Sequence, residues 1–340
     1  MRIAVVFGGT SAERDVSIAS GAQVVAALRS RGHEVIAIDP AVGRIRQEDE
    51  ANALRPGVAP APPDQAILGR MRIVDLRTVL HDPAVGRIDC VFIAMHGPFG
   101  EDGTLQALLD TTGIAYTGSG MRGSALAMDK DIAKRLIQHA GVPTPRWIMT
   151  PATPDDVCRE VGYPAVVKPS KQGSTVGLSI VREPGQLEAA VQEAYRFDDE
   201  VMIERFVPGR ELTVPILGDA ALPVGEILSK NEIFDYEAKY QPGMAEEIFP
   251  AHLAAETTEL VQRLALTAHR ALKLGGYSRV DFRLDPQGGL WCLEANTAPG
   301  MTAASLFPKG AAAAGIPFAE VCERICRLAL QEHGPEGRVE

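Results

Sequence analysis

Residues 277–301 read YSRVDFRLDPQGGLWCLEANTAPGM. Two apolar-rich runs, YSRVDFRLD and LWCLEANT, flank the turn-forming segment DPQGG, a pattern that predicts an antiparallel hairpin. Side chains two apart on a strand share a face. Arg279 and Asp281 therefore lie together on the first strand, and Glu294 and Asn296 on the second. Pairing across the turn would bring three oxygen donors, Asp281, Glu294 and Asn296, beside one guanidinium. Two readings fit. These are the solvated polar ends of ordinary strands, or the oxygens hold Mg²⁺, which favours a few protein oxygens supplemented by phosphate and water.

Outward from the hairpin, the long pattern ETTELVQRLALTAHRALK predicts a helix before it, and PFAEVCERICRLALQEH another that closes the chain, with the tail after Glu332 read as disordered. RELTVPILGD and ALPVGEILS add strands to the same region. Upstream, YPAVVKPS, GLSIV and EVMIERFV read as strands with the helix PGQLEAAVQEAYR among them, an antiparallel α+β pattern. At the other end, residues 2–7 form a buried strand, and GGTSAERDVSIASGAQVVAAL turns through glycines into a helix. Thr10 and Ser11 are its expected N-caps, and Ile18, Val24, Val25 and Leu28 its apolar stripe. GHEVIAIDP follows as a strand, so the chain opens as a parallel α/β unit. SALAMDKDIAKRLIQHAG reads as one amphipathic helix. The expected division is residues 1–118, 119–206 and 207–340.

Residues 41–70 break the pattern. ANALRPGVAPAPPDQ is rich in Pro and Ala and reads as a long, mobile surface excursion. The hexapeptide PAVGRI occurs at 40–45 and again at 83–88, too short to be a structural repeat.

Composition narrows the partners. The 340 residues are 46% hydrophobic and 23% charged, as in a globular protein with a sizeable core. The net charge of −10 argues against nucleic acid or an anionic membrane. No apolar run reaches the ~18 residues of a membrane span, and MRIAVVFGGT lacks the features of a signal peptide. Five scattered cysteines without a CxxC pair point to the cytoplasm and away from a zinc ribbon. Cys322 and Cys326, four apart, read as helix packing.

Other stretches carry chemistry. In KPSKQGSTVG a strand ends in Lys168 and enters a turn of Gly, Ser and Thr, whose backbone N–H groups and hydroxyls suit an anion. It is not a GxxxxGK[ST] phosphate loop. Lys130 is a second lysine within reach of a phosphate. Glu204 ends a strand and Glu211 begins the next; such carboxylates accept from an adenine amino group or a ribose, or simply face water. IFDYEAKY, with two tyrosines, a lysine and two acids, reads as a functional loop, or as a short strand with a polar face.

Taken in order, FGGTSAERDVS, HGPFGEDGT, YTGSG with SALAMDK, VVKPSKQGSTVG, DYEAKY, RVDF and LEANTAPGMTAASL resemble the D-alanine–D-alanine ligase family of the ATP-grasp superfamily, over nearly the whole chain. The resemblance implies an α/β (α+β) fold of three domains, with ATP between the last two. It implies that Lys130 and Lys168 contact phosphates, Glu204 and Val207 the adenine, and Glu211 the ribose. Gly173, Ser174 and Thr175 would close over the phosphates, and Asp281, Glu294 and Asn296 would hold two Mg²⁺ ions. Glu13 would bind the ammonium of the first D-alanine, with His96 nearby. Arg279 and the Gly300 backbone would stabilise the transferring groups, and Ser305 would take the second carboxylate. Ser174 with Tyr240 would link the phosphate turn to a loop over the site, from which Lys239 reaches phosphate. The implied reaction makes D-alanyl-D-alanine through an acyl phosphate, for peptidoglycan precursors, with a homodimer as the expected assembly. A different ATP-grasp ligase and a non-catalytic nucleotide-binding protein are the competing classes. Two departures stand out: the 41–70 excursion, and Lys309, which would alter the second-substrate side or face solvent.

Overall fold

The computed structural model describes residues 1–58, 63, 65–68, 70–173, 175–230 and 244–333. The chain begins with β1 (Arg2–Val6), α1 (Arg14–Ser30), β2 (Glu34–Asp39), β3 (Gly43–Arg44), α2 (Glu50–Ala53), α3 (Gln65–Leu68), α4 (Leu76–Leu80), β4 (Cys90–Ile93), α5 (Thr104–Asp110) and β5 (Ala115–Tyr116). The strands form a sheet in the order β3-β2-β1-β4-β5. All its pairs are parallel except β2–β3. The unbroken apolar runs of β1 and β4 suit central strands covered on both faces. From β1 the chain crosses to one side, and from β4 to the other. The crevice beyond the C-terminal ends of β1 and β4 is the switch point where such sheets place ligands.

Two expectations need correction here. Helix α1 starts at Arg14 with Glu13 as its cap residue, so neither Thr10 nor Ser11 caps it. The Ser11 hydroxyl instead accepts from the Glu13 N–H and donates to the His96 carbonyl at 2.8 Å. The excursion is also more than surface decoration. Ile45 and Leu68 are buried, and Glu50 pairs with Arg29 of α1 at 2.7 Å.

Next come α6 (Met121–Met128) and α7 (Lys130–His139), two helices where one was expected. Asp129, extended at ψ 102°, ends the first and caps the second by accepting from the Ile132 N–H. An aspartate competes well for free N–H groups at a helix start. The break makes Lys130 the first residue of a helix. Then follow β6 (Trp147–Met149), α8 (Pro154–Glu160), β7 (Ala165–Pro169), β8 (Ser179–Val181), α9 (Leu187–Ala194) and β9 (Val201–Arg205). These strands make an antiparallel sheet ordered β6-β9-β7-β8, backed by the two helices through Val157, Leu187 and Ala190.

The last part contains β10 (Arg210–Leu217), β11 (Ala220–Ala221), β12 (Gly225–Ser229), β13 (Ala245–Ile248), α10 (Ala255–Ala271), β14 (Tyr277–Leu284), β15 (Leu290–Asn296), α11 (Leu306–Ala313) and α12 (Phe318–His333). Its sheet runs β13-β12-β10-β14-β15, with β11 beside β10. Helices cross between the parts. Ala133 and Ile137 of α7 join the core of this sheet, while Val321, Cys322, Ile325 and Cys326 of α12 pack with Ile3, Val5 and Phe92 of the first. The two cysteines are thus packing residues, as expected from their spacing. The terminal helix clamps the first sheet to the last, which fixes the crevice at β1 and β4 over the end of β15.

Candidate active site

The hairpin is in place. Asp281 of β14 pairs in register with Glu294 of β15, and Arg279 with Asn296. A bulge after Asp281 leaves Leu293 without an opposite residue and turns it toward a cavity. Arg279 grips Asp281 with Nε and Nη2, at 2.9 and 2.8 Å. Thr213, opposite on β10, donates to the same carboxylate at 2.7 Å, and Asn296 Nδ2 does so at 3.0 Å. Lys130 stands 3.4 Å from Glu294 and donates to the Gln172 carbonyl of the Gly-rich turn at 2.6 Å.

A second cluster lies deeper. Glu204 is 2% exposed, so it is not a surface carboxylate. Lys168 reaches one of its oxygens at 2.9 Å, and Lys134 the other. Burial alone would raise the Glu204 pKa, but the two ammonium charges outweigh it and hold the group ionised below the usual carboxylate range. Burial pulls Lys134 below the usual lysine value, against the pull of Glu204. Thr144 accepts from Lys134 at 2.6 Å, and the Trp147 ring lies 4.8 Å from its ammonium. Sequence reasoning missed Lys134. The one hint is its spacing: it follows Lys130 by four, so both share one helix face. Glu211 is held by Arg283 at 3.1 Å, and Arg283 also donates to the Val207 carbonyl. Lys130, Lys168, Glu204, Val207, Glu211, Asp281 and Glu294 all line one cavity between the two antiparallel sheets, with Val166, Leu178 and Ile227 as its apolar walls.

A second cavity opens at the switch point. Glu13, at the cap of α1, and Val16 and Gln23 of the helix line it, with Ser17 and Ser20 buried behind. Ser17 accepts from the His96 N–H at 2.9 Å, Ser20 meets His96 Nε2 at 3.0 Å, and Gln23 accepts from the Ala303 N–H at 2.7 Å. His96 Nδ1 must carry a proton, because its partner at 3.0 Å is the Ala298 carbonyl. Burial disfavours the charged imidazolium, yet the Glu101 and Glu13 carboxylates win and raise the His96 pKa. Burial, with Glu13 adding to it, raises Glu101 as well. Glu101 was within the quoted HGPFGEDGT but had no assigned role. Gly97, at φ +73°, has no side chain where a Cβ would meet the Glu13 carboxylate at 3.0 Å. Across the cavity, Ser305 caps α11, and its hydroxyl accepts from the Thr302 N–H at 3.2 Å beside Gly300. Pro56 and Val58 of the excursion line this cavity, which corrects its reading as surface alone.

The two cavities adjoin. Gly173, Arg279 and Leu306 line both. Thr175, in the same turn as Gly173, has φ +59°, a left-handed conformation that a β-branched residue rarely adopts and that marks stored strain. Ser174, Lys239 and Tyr240 lie outside the described residues, as do the whole of IFDYEAKY and the tail from residue 334. Among the described residues no three His, Cys, Asp or Glu side chains group around a metal position. None of the described helices is long and apolar enough to cross a membrane.

An apolar cleft between two antiparallel sheets, entered by two lysines and ending at paired carboxylates, is the build of an ATP-grasp enzyme. Residues 2–119 match the family model for the D-ala D-ala ligase N-terminus and 135–327 that for its C-terminus, so the chain belongs to the D-alanine–D-alanine ligase family. It is 43% identical over 327 residues to the D-alanine–D-alanine ligase of Geobacter sulfurreducens, covering 95% of this chain and 92% of that one. It is 40% identical over 340 residues to that of Halalkalibacterium halodurans, covering 98% and 100%. A crystal structure of the Bacillus anthracis D-alanine–D-alanine ligase superposes with TM-score 0.77 at 33% identity, over 99% of this chain and 100% of the other. A structure of that enzyme complexed with ATP gives the same score and identity, over 99% of each chain.

Proposed function

We infer that this chain joins two D-alanine molecules into D-alanyl-D-alanine, consuming ATP and releasing ADP and phosphate. The observation that carries the reading is the junction at Arg279, where a lysine-lined cleft meets a cleft lined by carboxylates and a helix N-terminus. The first cleft suits a nucleotide. Val166, Leu178 and Ile227 would sandwich the base, with Glu204 and Val207 toward adenine and Glu211 toward the ribose. Lys130, Lys168 and the turn at Gly173, Ser174 and Thr175 would hold the phosphates, with Lys239 reaching them from the loop. The second suits zwitterions. Glu13 would hold the ammonium of the first D-alanine, with His96 bracing the wall behind it. Ser305 and the start of α11 would receive the carboxylate of the second.

A carboxylate oxygen of the first D-alanine attacks the γ-phosphorus and ADP leaves. The amine of the second D-alanine then attacks the acyl carbon, loses a proton and expels phosphate. Positioning and charge stabilisation dominate phosphoryl transfer. Arg279, between the clefts, is placed to stabilise charge in both steps, with the Gly300 N–H as a donor in the second. Closure by the loop containing Tyr240, against Ser174, would keep water from the acyl phosphate.

Asp281, Glu294 and Asn296 carry oxygens that fit Mg²⁺, provided the Asn296 amide turns its oxygen inward and Asp281 exchanges part of its hydrogen bonding for the ion. Bound there, two ions would neutralise phosphate charge. We further propose the three-part division at 118 and 206, a cytoplasmic homodimer, and a role in peptidoglycan precursor synthesis. The test is phosphate release from ATP across D- and L-amino acids. Release that depends on D-alanine, with ADP as co-product, supports the reading; AMP formation or indifference to D-alanine refutes it.

A further inference from the structure

The acceptor end of the second cavity contains a charged pair without an assigned role. Glu247 of β13 lines the cavity together with Ser305 and Leu306. One of its oxygens is held by the ammonium of Lys309, in the first turn of α11, whose N–H bonds to the Ser305 carbonyl at 3.0 Å. Its other oxygen has no partner among the described residues. The pair is firmly mounted. Ile227, opposite Glu247 in register, packs with Leu306, Met244, Ala245 and Phe249, which ties β13 to the helix. The Glu247 side chain is 13% exposed.

Two zwitterions bring two ammonium groups into this cavity, and each needs an anionic partner. Three carboxylates line it: Glu13, Glu101 and Glu247. Glu101 is committed to the Gly97 N–H at 2.8 Å and faces His96. Glu13 lies against Gly97 and Gly173. Glu247 is the carboxylate tied, through Lys309, to the helix start that carries Ser305. Resting on the ligase reading above, we propose that Glu247, oriented by Lys309, binds the ammonium of the second amino acid and thereby selects an amine acceptor over a hydroxy acid. A carboxylate gains a charge-assisted bond from an ammonium that a neutral hydroxyl cannot match. Lys309 acts as a positioning residue: it fixes one oxygen so that the other faces the acceptor.

The test is a competition. Wild-type, Glu247→Gln, Glu247→Asp and Lys309→Met proteins receive ATP with equal D-alanine and D-lactate at neutral pH, and both products are quantified. The two products share the same first step, so their ratio reports the acceptor alone. Glu247→Gln should lower the ratio of D-alanyl-D-alanine to D-alanyl-D-lactate about tenfold. Glu247→Asp should restore part of it, and Lys309→Met should lower it by a smaller factor. D-alanine-dependent phosphate release in the same tubes reports the ligase reaction itself. A Glu247→Gln enzyme that still ligates with an unchanged ratio, whether or not its melting point falls, overturns the role of Glu247 and leaves the ligase reading standing.

Discussion

The two cavities are built on opposite plans. In the lysine-lined cleft, charge is buried and mutually satisfied: Glu204 lies between Lys134 and Lys168, and Asp281 is gripped by Arg279, Thr213 and Asn296. Its groups ride on strands and on the start of one helix. In the amino-acid cleft the groups come mostly from loops of the first and last sheets, from α1 and from the excursion, with Arg279, Asn296 and Glu247 from strands. The first cleft should therefore respond to substitution through stability as well as binding, the second mainly through binding, the pairing of buried His96 with Glu101 excepted. A buried charge that loses its partner is costly, because it can no longer reach water. A half-open one can be rescued by solvent.

The largest effect is expected where the clefts meet. Glu294→Gln and Asp281→Asn should each lower turnover by about a thousandfold, because each removes an anionic ligand that would hold Mg²⁺ against the phosphates. Steady-state rates at ordinary Mg²⁺, with a circular-dichroism check of the fold, would decide it. Near-wild-type rates would remove both carboxylates from the reaction.

Lys134→Met sharpens the contrast between the clefts. It leaves Glu204 buried with one lysine, and should cost about 3 kcal/mol in urea unfolding, along with a raised KM for ATP. An unchanged unfolding midpoint would mean that Lys168 alone satisfies Glu204.

Glu13→Gln probes the other plan. The KM for the first D-alanine should rise about tenfold, as one charge-assisted bond becomes neutral, while the melting point stays within a degree or so of wild type. A lower melting point with both KM values intact would make Glu13 a structural residue at the start of α1. A smaller effect, about threefold in the KM for D-alanine, is expected for the double change Pro56→Gly and Val58→Ala. If only expression changes, the excursion is scaffolding.

The smallest effect concerns pH. His96 and Glu101 both bind their protons more tightly in the folded chain than in the unfolded one. Stability from His96 is therefore fully present below its ordinary value of 6.5 and is lost as pH rises through its raised value. Glu204 runs the other way. Its stability is present above 4.5 and is lost only as pH falls through its lowered value. Melting curves across neutral pH should show a shallow decline that Glu101→Gln weakens. A flat wild-type profile would contradict the His96–Glu101 pairing.

What could be read in advance follows the same division. The hairpin of β14 and β15 was legible because strand alternation and a short turn fix register without help from the rest of the chain. Lys168 and the Gly-rich turn were legible as local composition. Lys134 was hidden because an ammonium on a helix face reads as a solvated charge until a distant strand supplies Glu204. The helix break at Asp129 was missed because the apolar period runs through it; only the cap geometry reveals it. Pro56, Val58 and Glu247 were beyond reach for a related reason: their place depends on how α11 and α12 bring the first and last sheets together, and no local pattern encodes that closure. The excursion misled most. Its Pro and Ala content describes a chain without regular structure, which says nothing about what that chain leans against.

The central claim is that phosphate from the lysine-lined cleft is transferred to a carboxylate in the other, across Arg279. D-alanine carrying heavy oxygen in its carboxylate tests it directly. Mass spectrometry of the released phosphate should find one carboxylate oxygen carried into phosphate for each dipeptide formed, because the acyl carbon loses that oxygen with the leaving group. Phosphate free of label, with dipeptide still forming, would contradict the account.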